Sequence, residues 1–361
     1  MGKPKHVTIQ QIFLLTMNNQ QKKRILVVSP ADSFFTMPHV RAFEALGFEC
    51  AAFDNRRGMV YSSNLLKRLI RVFPWLRVIK DVTLKNTNRQ LVSFVKEYEP
   101  WLVFSVKAEN IYPETIGEIK KLGVKTGCFF IDFMDHWPLI TRLAPAYDYF
   151  FSQDHIILRR LWHERGLKNC FYMAHSAEPM ADPFTNRQDK YDVSFIGQHN
   201  SRQYPNREKY LLALNDLDLN IWGTMGWAKT PLAKFFHGRS VGDQRLDIYS
   251  HSKIVLDINW NLMPVEGLSN RSFEIMGCGA MFMTDHIRED IKRAYTEGRE
   301  VVLFKDENEF REKIIYYLEH NKEREEIAKA GYAKTVAKHT YIERVKQLLD
   351  TIENPTKYLY K

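Results

Sequence analysis

The stretch Glu266-Gly-Leu-Ser-Asn-Arg-Ser-Phe-Glu-Ile-Met-Gly-Cys-Gly-Ala280 gathers the residue types best suited to chemistry in this chain. Glu266 and Glu274 stand with seven residues between them, one before a short helix and one inside it. Two ionised carboxylates so placed can accept hydrogen bonds from a hydroxyl-rich ligand such as a sugar. Ser269 or Asn270 is suited to cap the helix, because a short polar side chain there accepts a free backbone N–H. Asn270 and Arg271 also make its first turn a seat for an anion, where unpaired N–H groups, helix dipole and guanidinium all favour negative charge. Phe273, Ile275 and Met276 form the apolar side, Gly277 and Gly279 stop the helix, and residues 280–284 continue as a buried strand. The same residues also describe an ordinary capped amphipathic helix with solvated charges. Both readings stand on this stretch alone.

Three further groups could do chemistry. The strand at 125–131 runs into Asp132-Phe-Met-Asp-His136. Carboxylates and an imidazole just past the carboxyl end of a parallel strand lie where open α/β sheets bind ligands. Asp135 and His136 are therefore acid/base candidates, and Asp132 is a sugar or acceptor contact; an Asx-type turn with an exposed His is the plain alternative. After the strand at 192–197, Gly197 permits close backbone approach and Arg202 is placed to meet phosphate. Gly223 follows the strand at 219–222 in the same way. His39, on the first helix, is another candidate for sugar or acceptor contact.

These groups need strands to hold them, and the strand signals come in two series. Apolar runs at 24–29, 49–53, 101–106, 125–131, 147–152 and 169–173 alternate with helical patterns at 37–46, 84–98, 113–122 and 154–165. Residues 174–190, with Pro179 and Pro183, lack periodicity and read as a linker. The pattern restarts with strands at 192–197, 219–222, 253–258, 280–284 and 301–304, and ends in helices at 308–318, 322–330 and 340–352. Two restarts of strand–helix alternation predict an α/β chain of two doubly wound halves. The loop after the first strand lacks Gly-x-Gly-x-x-Gly, so no dinucleotide fingerprint is present there.

A length of 361 residues suits two domains. No apolar run is long enough to cross a membrane, and neither a secretory signal peptide nor a myristoylation signal is evident. Residues 1–22 read as a polar, partly basic leader without order of their own. Cys50, Cys128, Cys170 and Cys278 form no close pair, which suggests neither a zinc site nor a disulfide framework and favours a reducing, cytoplasmic setting. A net charge of +9 points to anionic partners. Basic residues crowd positions 56–89 against Asp81 alone. The mixture of apolar and basic residues at 64–80 reads either as a segment that touches an anionic membrane surface or as a helix with a solvated basic face.

Taken together, "DVSFIG" at 192–197, Arg202, "IWG" at 221–223, "YSHSKIVLDIN" at 249–259, "NRSFEIMGCGA" at 270–280 and "AKHTYIERVKQLL" at 337–349 resemble the CgeB-like glycosyltransferases, within the broad GT-B group. The first half is similar more loosely, at 107–132 and 147–154. The resemblance implies two Rossmann-like domains facing a cleft. It divides the chain into an acceptor domain at 23–180, a nucleotide-sugar domain at 181–339 and a terminal segment at 340–361 that packs back on the first domain. The spacing of Glu266 and Glu274 also resembles a motif of retaining GT-B enzymes, in which the first Glu lies by the donor sugar and the second holds the ribose. Asn270 and Arg271 differ from that group's usual residues.

The implied reaction is transfer of a hexose from a nucleoside diphosphate, UDP favoured, to a glycan, protein or lipid-linked acceptor. Gly197, Arg202, Gly223, Asn270, Arg271 and Glu274 would bind the donor, with Glu266, Asp135 and His136 near the reacting centre. No Asp-x-Asp pair suggests a metal, so the nucleotide sugar is the one small molecule expected, as co-substrate. Arg271→Ala is expected to cost activity far more than folding. A transferase acting on nucleic acid through the basic N-terminal surface, a nucleotide-sugar epimerase and a non-catalytic nucleotide-sugar binder are the rival readings. The expected location is cytoplasmic, with peripheral contact at the inner face of a membrane.

Overall fold

The structure is a computed structural model that describes residues 23–57, 73, 77–240, 242–259 and 265–359. The leader at 1–22 and most of the segment at 64–80 lie outside the described residues. The chain divides into two compact units. The first runs to Phe130 and takes in Pro138–Phe150; the second comprises Ile131–Trp137 and everything from Phe151 onward.

The first unit opens with β1 (Arg24–Ser29), α1 (Thr36–Ala45), β2 (Glu49–Asp54), α2 (Arg77–Tyr98), β3 (Leu102–Val106), α3 (Pro113–Lys121) and β4 (Lys125–Phe130). β1 lies between β2 and β3, and every pairing from β2 to β4 is parallel. Ile25–Val28 and Leu102–Phe104 are wholly buried, the continuous apolar pattern of strands covered on both faces. Pro113 starts α3 at a position where its missing N–H costs nothing. A short 3-10 turn, Met134–His136, and α4 (Trp137–Leu143) follow, then β5 (Tyr149–Ser152), α5 (His155–Arg165) and β6 (Cys170–Tyr172). The strand order of this sheet is β2-β1-β3-β4-β5-β6.

The second sheet, ordered β11-β10-β9-β7-β8, is parallel throughout. Its chain order is β7 (Tyr191–Ile196), α6 (Pro205–Leu212), β8 (Leu219–Trp222), α7 (Gln244–Ser250), β9 (Ser252–Asp257), α8 (Asn270–Gly277), β10 (Met281–Asp285), α9 (Asp290–Ala294) and β11 (Val302–Phe304). Helices α10 (Glu307–Glu319), α11 (Asn321–Lys338) and α12 (Tyr341–Glu353) complete it. Val193, Phe195, Ile221, Ile254, Leu256, Met281 and Met283 meet Trp227 and Phe310 in one core. Phe273, Ile275 and Met276 of α8 meet Val255, Phe282 and Leu303 in another, on the sheet's second group of side chains. This is the alternation expected of a strand covered on both faces. No described helix is long and apolar enough to cross a membrane.

The differences from the sequence reading have local causes. Helix α2 begins at Arg77, ahead of the expected 84, because its first turns expose Val78 and Val82 and so lack a core-facing apolar pattern. Residues 174–190 are bonded into the second unit: Ala177 bridges Thr340, Met180 N–H donates to Gly277, and Arg187 donates to the carbonyls of Gly279 and Ser252. Helix α12 bonds to β6 and the residues just after it, with Gln347 donating to Tyr172 and Arg344 to Ala174 and His175, positions that the sequence reading gave to the 23–180 domain. His39 is 2% exposed; its ring packs near Phe104 and Phe129, and Nδ1 lies 2.7 Å from the Phe35 carbonyl oxygen. That places it in the core of the first unit, on the face of α1 that meets the sheet.

Candidate functional site

Because the second sheet is parallel, β7, β9 and β10 deliver their carboxyl ends to one edge, the position at which open α/β sheets bind ligands. After β7 the chain turns at Gly197, whose N–H donates to Trp222 and whose carbonyl accepts the Trp227 indole N–H at 2.8 Å. Gly223 sits against it with φ of 155°, and an added Cβ would collide with the Gly197 carbonyl. Glycine is thus required at Gly223 by conformation and by space. Behind this turn lies Arg207 of α6, 5% exposed, donating to Ile258 and Gln198 at 2.9 Å each and stacked 3.5 Å from the Tyr204 ring centroid. Burial draws its guanidinium down to about 10. Arg202, the expected phosphate ligand, is exposed and contributes its backbone N–H to the Asn200 side chain.

β9 ends at the buried Asp257. Arg271 donates to it at 2.5 Å and the Ser269 hydroxyl at 3.3 Å. Ser269 holds the cap position of α8, yet its side chain caps no helix N–H, since the carboxylate of Asp257 is the stronger acceptor. Burial opposes the charge of Arg271, but Asp257 overcomes it and raises the guanidinium above its ordinary value. Arg271 is therefore half of an ion pair rather than a free cation, and removing it would strand a buried carboxylate. Arg271→Ala therefore carries a cost to folding as well as to any role with an anion.

β10 ends at Asp285, which accepts the Asn259 N–H at 2.6 Å and its side-chain amide at 3.2 Å. Burial, then the neighbouring Asp257, raises the Asp285 carboxyl. Three residues on is Arg288, 4% exposed, its guanidinium 4.9 Å from the Phe133 ring centroid. Its Nε and Nη1 have no hydrogen-bond partner, and neither has the side-chain amide of Asn270, 8% exposed in the first turn of α8. Burial lowers the Arg288 guanidinium, opposed by Asp257, Asp285 and Asp154. Buried polar groups are nearly always satisfied, so unspent donors on two of them mark a place where an acceptor is missing.

The two glutamates are both held by arginines. Glu274 receives Arg245 through both oxygens, at 2.6 and 3.1 Å. Glu266 receives Arg159, and Arg293 at 3.1 Å, while its backbone N–H donates to Asp154 at 3.2 Å. The Arg159 hydrogen bonds hold the Glu266 carboxyl below its ordinary value, so it is ionised at neutral pH. Gly267 packs on the backbone of Gln153, where a Cβ would collide with the carbonyl oxygen. Arg293 also donates to the buried Asp290 at 2.5 Å, which receives the Tyr172 hydroxyl at 3.0 Å. His155 stacks on Tyr172 with centroids 4.1 Å apart, and burial lowers its imidazole to about 4.

Asp132, Asp135 and His136 also belong to the second unit. His136 Nδ1 lies 2.9 Å from the Asp135 carboxylate, and its Nε2 3.9 Å from Asp132. The Gln153 amide donates to the carbonyls of Ile131 and Asp132 and fixes the start of this loop. In the first unit, Lys107 and Ala108 carry φ of 71° and 55° at the end of β3. Asn88 holds the loop that follows by bonding Asn110 and Tyr112. Among the described residues no cluster of three His, Cys, Asp or Glu side chains could hold a metal ion.

Residues 202–350 match the glycosyl transferase-like family model. Spore protein CgeB of Bacillus subtilis is 29% identical over 111 residues, a match that covers 28% of this chain and 33% of that protein's length. Sucrose-phosphate synthase from Thermosynechococcus elongatus superposes with a TM-score of 0.62 at 12% identity, covering 93% of this chain and 100% of the other. Anabaena HepE in complex with UDP superposes with a TM-score of 0.59 at 11% identity, covering 91% and 99%. The chain has the GT-B fold, and its residues 202–350 are similar to the glycosyl transferase-like family. The matched region begins at Arg202 and contains Arg207, Asp257, Glu266, Arg271, Glu274, Asp285 and Arg288, whereas Asp154, Arg159 and Gly197 lie ahead of it.

The sequence singled out Gly197, Gly223, Asn270, Arg271 and Glu274 but not the side chains that partner them. Arg207, Arg245, Arg288, Arg159 and Arg293 come from separate helices and loops, and no spacing links them to the glutamates. A signal for Asp257 and Asp285 did exist: each is an acidic residue ending a strand with an apolar run, at a position where charge is tolerated only beside a partner.

Proposed function

We propose that this chain transfers a sugar from a nucleoside diphosphate sugar, with the diphosphate seated at the carboxyl ends of β7, β9 and β10. The observation that carries the reading is the pair of buried, unspent donor groups on Arg288, just after β10, and on Asn270, at the start of α8. A diphosphate would supply the missing acceptors and gain the helix dipole. Arg207 and Arg271 stand near Arg288 around Asp257, and Arg288, whose Nε and Nη1 bond nothing, is the cation of the three left to favour an anion. A UDP donor is favoured, since HepE, which shares the fold, was obtained with UDP.

The chemistry follows from where charge grows. As the glycosidic bond to phosphate breaks, the diphosphate gains negative charge and the sugar becomes oxocarbenium-like. Fixed guanidinium groups and helix N–H groups stabilise that charge without reorganising. This cationic set performs the role a metal would otherwise take, and supports a metal-independent reaction. Glu274, fixed by Arg245, retains lone pairs for ribose hydroxyls. Glu266 is ionised and doubly held, so it acts as an acceptor for sugar hydroxyls and not as a proton donor. The Asp135–His136 pair is placed in the role of taking the acceptor proton.

The test is nucleotide release from a panel of UDP, GDP, ADP and dTDP sugars, with and without EDTA, beside thermal shift with the same compounds. One donor class should raise the melting temperature and release its diphosphate equally in EDTA. A protein that no nucleotide stabilises, and that releases none, would refute the reading.

A further inference from the structure

Helix α2 carries a second cationic feature, outside the candidate donor site. Val78, Val82, Lys85 and Arg89 recur at helical spacing and so line one face. Val78 and Val82 are 63% and 61% exposed, among the most exposed large apolar side chains described. Lys85 and Arg89 extend the same stripe, and with Arg57 and Asn86 they line a groove of about 720 Å³ in the first unit. None of Arg57, Lys85 and Arg89 makes a side-chain hydrogen bond or ion pair among the described residues, and no carboxylate lines the groove. Asp81 lies one turn ahead of Lys85 without pairing to it.

We propose that this face docks on an anionic lipid surface, with Arg57, Lys85 and Arg89 taking the phosphate headgroups and Val78 and Val82 entering the boundary below them. The pairing of exposed apolar and unpaired basic side chains on one helix face is what an interfacial contact needs: apolar area for insertion and cations for the headgroups. A nucleic-acid strand would instead call for aromatic platforms beside the cations, and this groove has none. The inference goes beyond sugar transfer and does not depend on it, because vesicle binding is read without donor or turnover.

The experiment is co-sedimentation of the full chain with phosphatidylglycerol and with phosphatidylcholine vesicles, with a single-stranded RNA oligonucleotide as a separate arm. The chain should partition onto phosphatidylglycerol, and binding should weaken as salt shortens the Debye length from about 10 Å at 0.1 M to about 3 Å at 1 M. Each surface cation is worth about fivefold in partitioning, so Arg57→Ala, Lys85→Ala and Arg89→Ala together should lower it on the order of 100-fold. Val82→Asp alone should lower it as well. Removing three charges elsewhere, Lys322, Lys334 and Lys338 of α11, should change it several-fold at most. All substituted residues of α2 in these variants are exposed, and an unchanged melting temperature verifies folding. Equal partitioning of wild type and triple variant, an equal loss in the α11 control, or RNA binding abolished by the same variants while vesicles are ignored would each overturn the proposal.

Discussion

Arg288→Met separates a ligand-binding arginine from a structural one. In the fold, Arg288 is buried and its Nε and Nη1 donate to nothing, so the substitution removes no hydrogen bond those two atoms make. It removes attraction to Asp257, Asp285 and Asp154, but also the cost of keeping a guanidinium out of water, the effect that lowers its proton affinity most. Exchange of a buried, poorly bonded charge for an apolar side chain of similar length is often close to neutral. A net change within about 1 kcal/mol moves the melting temperature by about 2–4 °C in a domain of this size. Binding behaves differently. Each hydrogen bond to a charged group is worth about 1.5–3 kcal/mol, so losing one on the diphosphate weakens UDP about 10- to 150-fold. At a fixed excess of UDP the same loss takes about 3–12 °C from the ligand-induced shift. Melting with and without UDP, together with calorimetric titration, reads both quantities on one preparation. Unchanged UDP affinity, or an unliganded melting temperature more than about 10 °C lower, would show that Arg288 serves the fold and that its unspent donors do not await a ligand.

Arg271→Ala should destabilise the chain by about 3 kcal/mol, the low end for breaking a buried pair because Arg207 and Arg288 remain near Asp257; urea unfolding against wild type checks this, and a change under 1 kcal/mol refutes it. Glu274→Gln keeps the shape but weakens acceptance of ribose hydroxyls, so UDP should bind about tenfold more weakly while a diphosphate lacking ribose binds as before; equal loss for both would remove Glu274 from the ribose role. Gly223→Ala places a methyl group on the Gly197 carbonyl and should lower soluble yield or melting temperature sharply, whereas Gly298→Ala, with open space and φ of 74°, should cost only about 1 kcal/mol. His155 sets a pH window. Its ordinary value is 6.5 and burial lowers it to about 4 in the fold, so the unfolded chain takes up a proton that the folded chain refuses. Stability from this group is complete above pH 6.5 and falls as pH drops toward 4, by about 2 kcal/mol once solvent screening is allowed for. His155→Phe, which preserves the stack on Tyr172, should flatten the unfolding free energy across that window, and an undiminished slope would refute it.

What the sequence made legible follows from what periodicity encodes. Strand cores such as Ile25–Val28 and Ile254–Leu256 announce themselves because burial on both faces needs continuous apolar runs. Two such series, restarting after a polar stretch, were enough to predict two doubly wound halves and to put Gly197 directly after a strand and Asn270 and Glu274 on the helix that precedes another. Helix α2 was under-read for the reverse reason: its first turns face outward, and an exposed apolar stripe leaves no core-facing pattern. The charge partners were illegible because pairing is a property of three dimensions. Glu266 and Arg159 are 107 positions apart, and the packing of Gly267 on Gln153 together with the hydrogen bonds to Asp154 sets the loop that carries Glu266 against α5. The same packing changes what the glutamate can do. A carboxylate read in isolation is a candidate acid, base or ligand alike; one ionised by two arginines has lost the first of those roles. Arg271 makes the complementary case. Beside a helix N-terminus it reads as a free anion site, yet Asp257, an acidic residue closing an apolar strand, claims its charge. On the proposed reading the anion-binding role falls to the residues whose hydrogen bonds remain unspent, Arg288 and Asn270, and no pattern in the chain could have separated them from Arg271 before their neighbours were known.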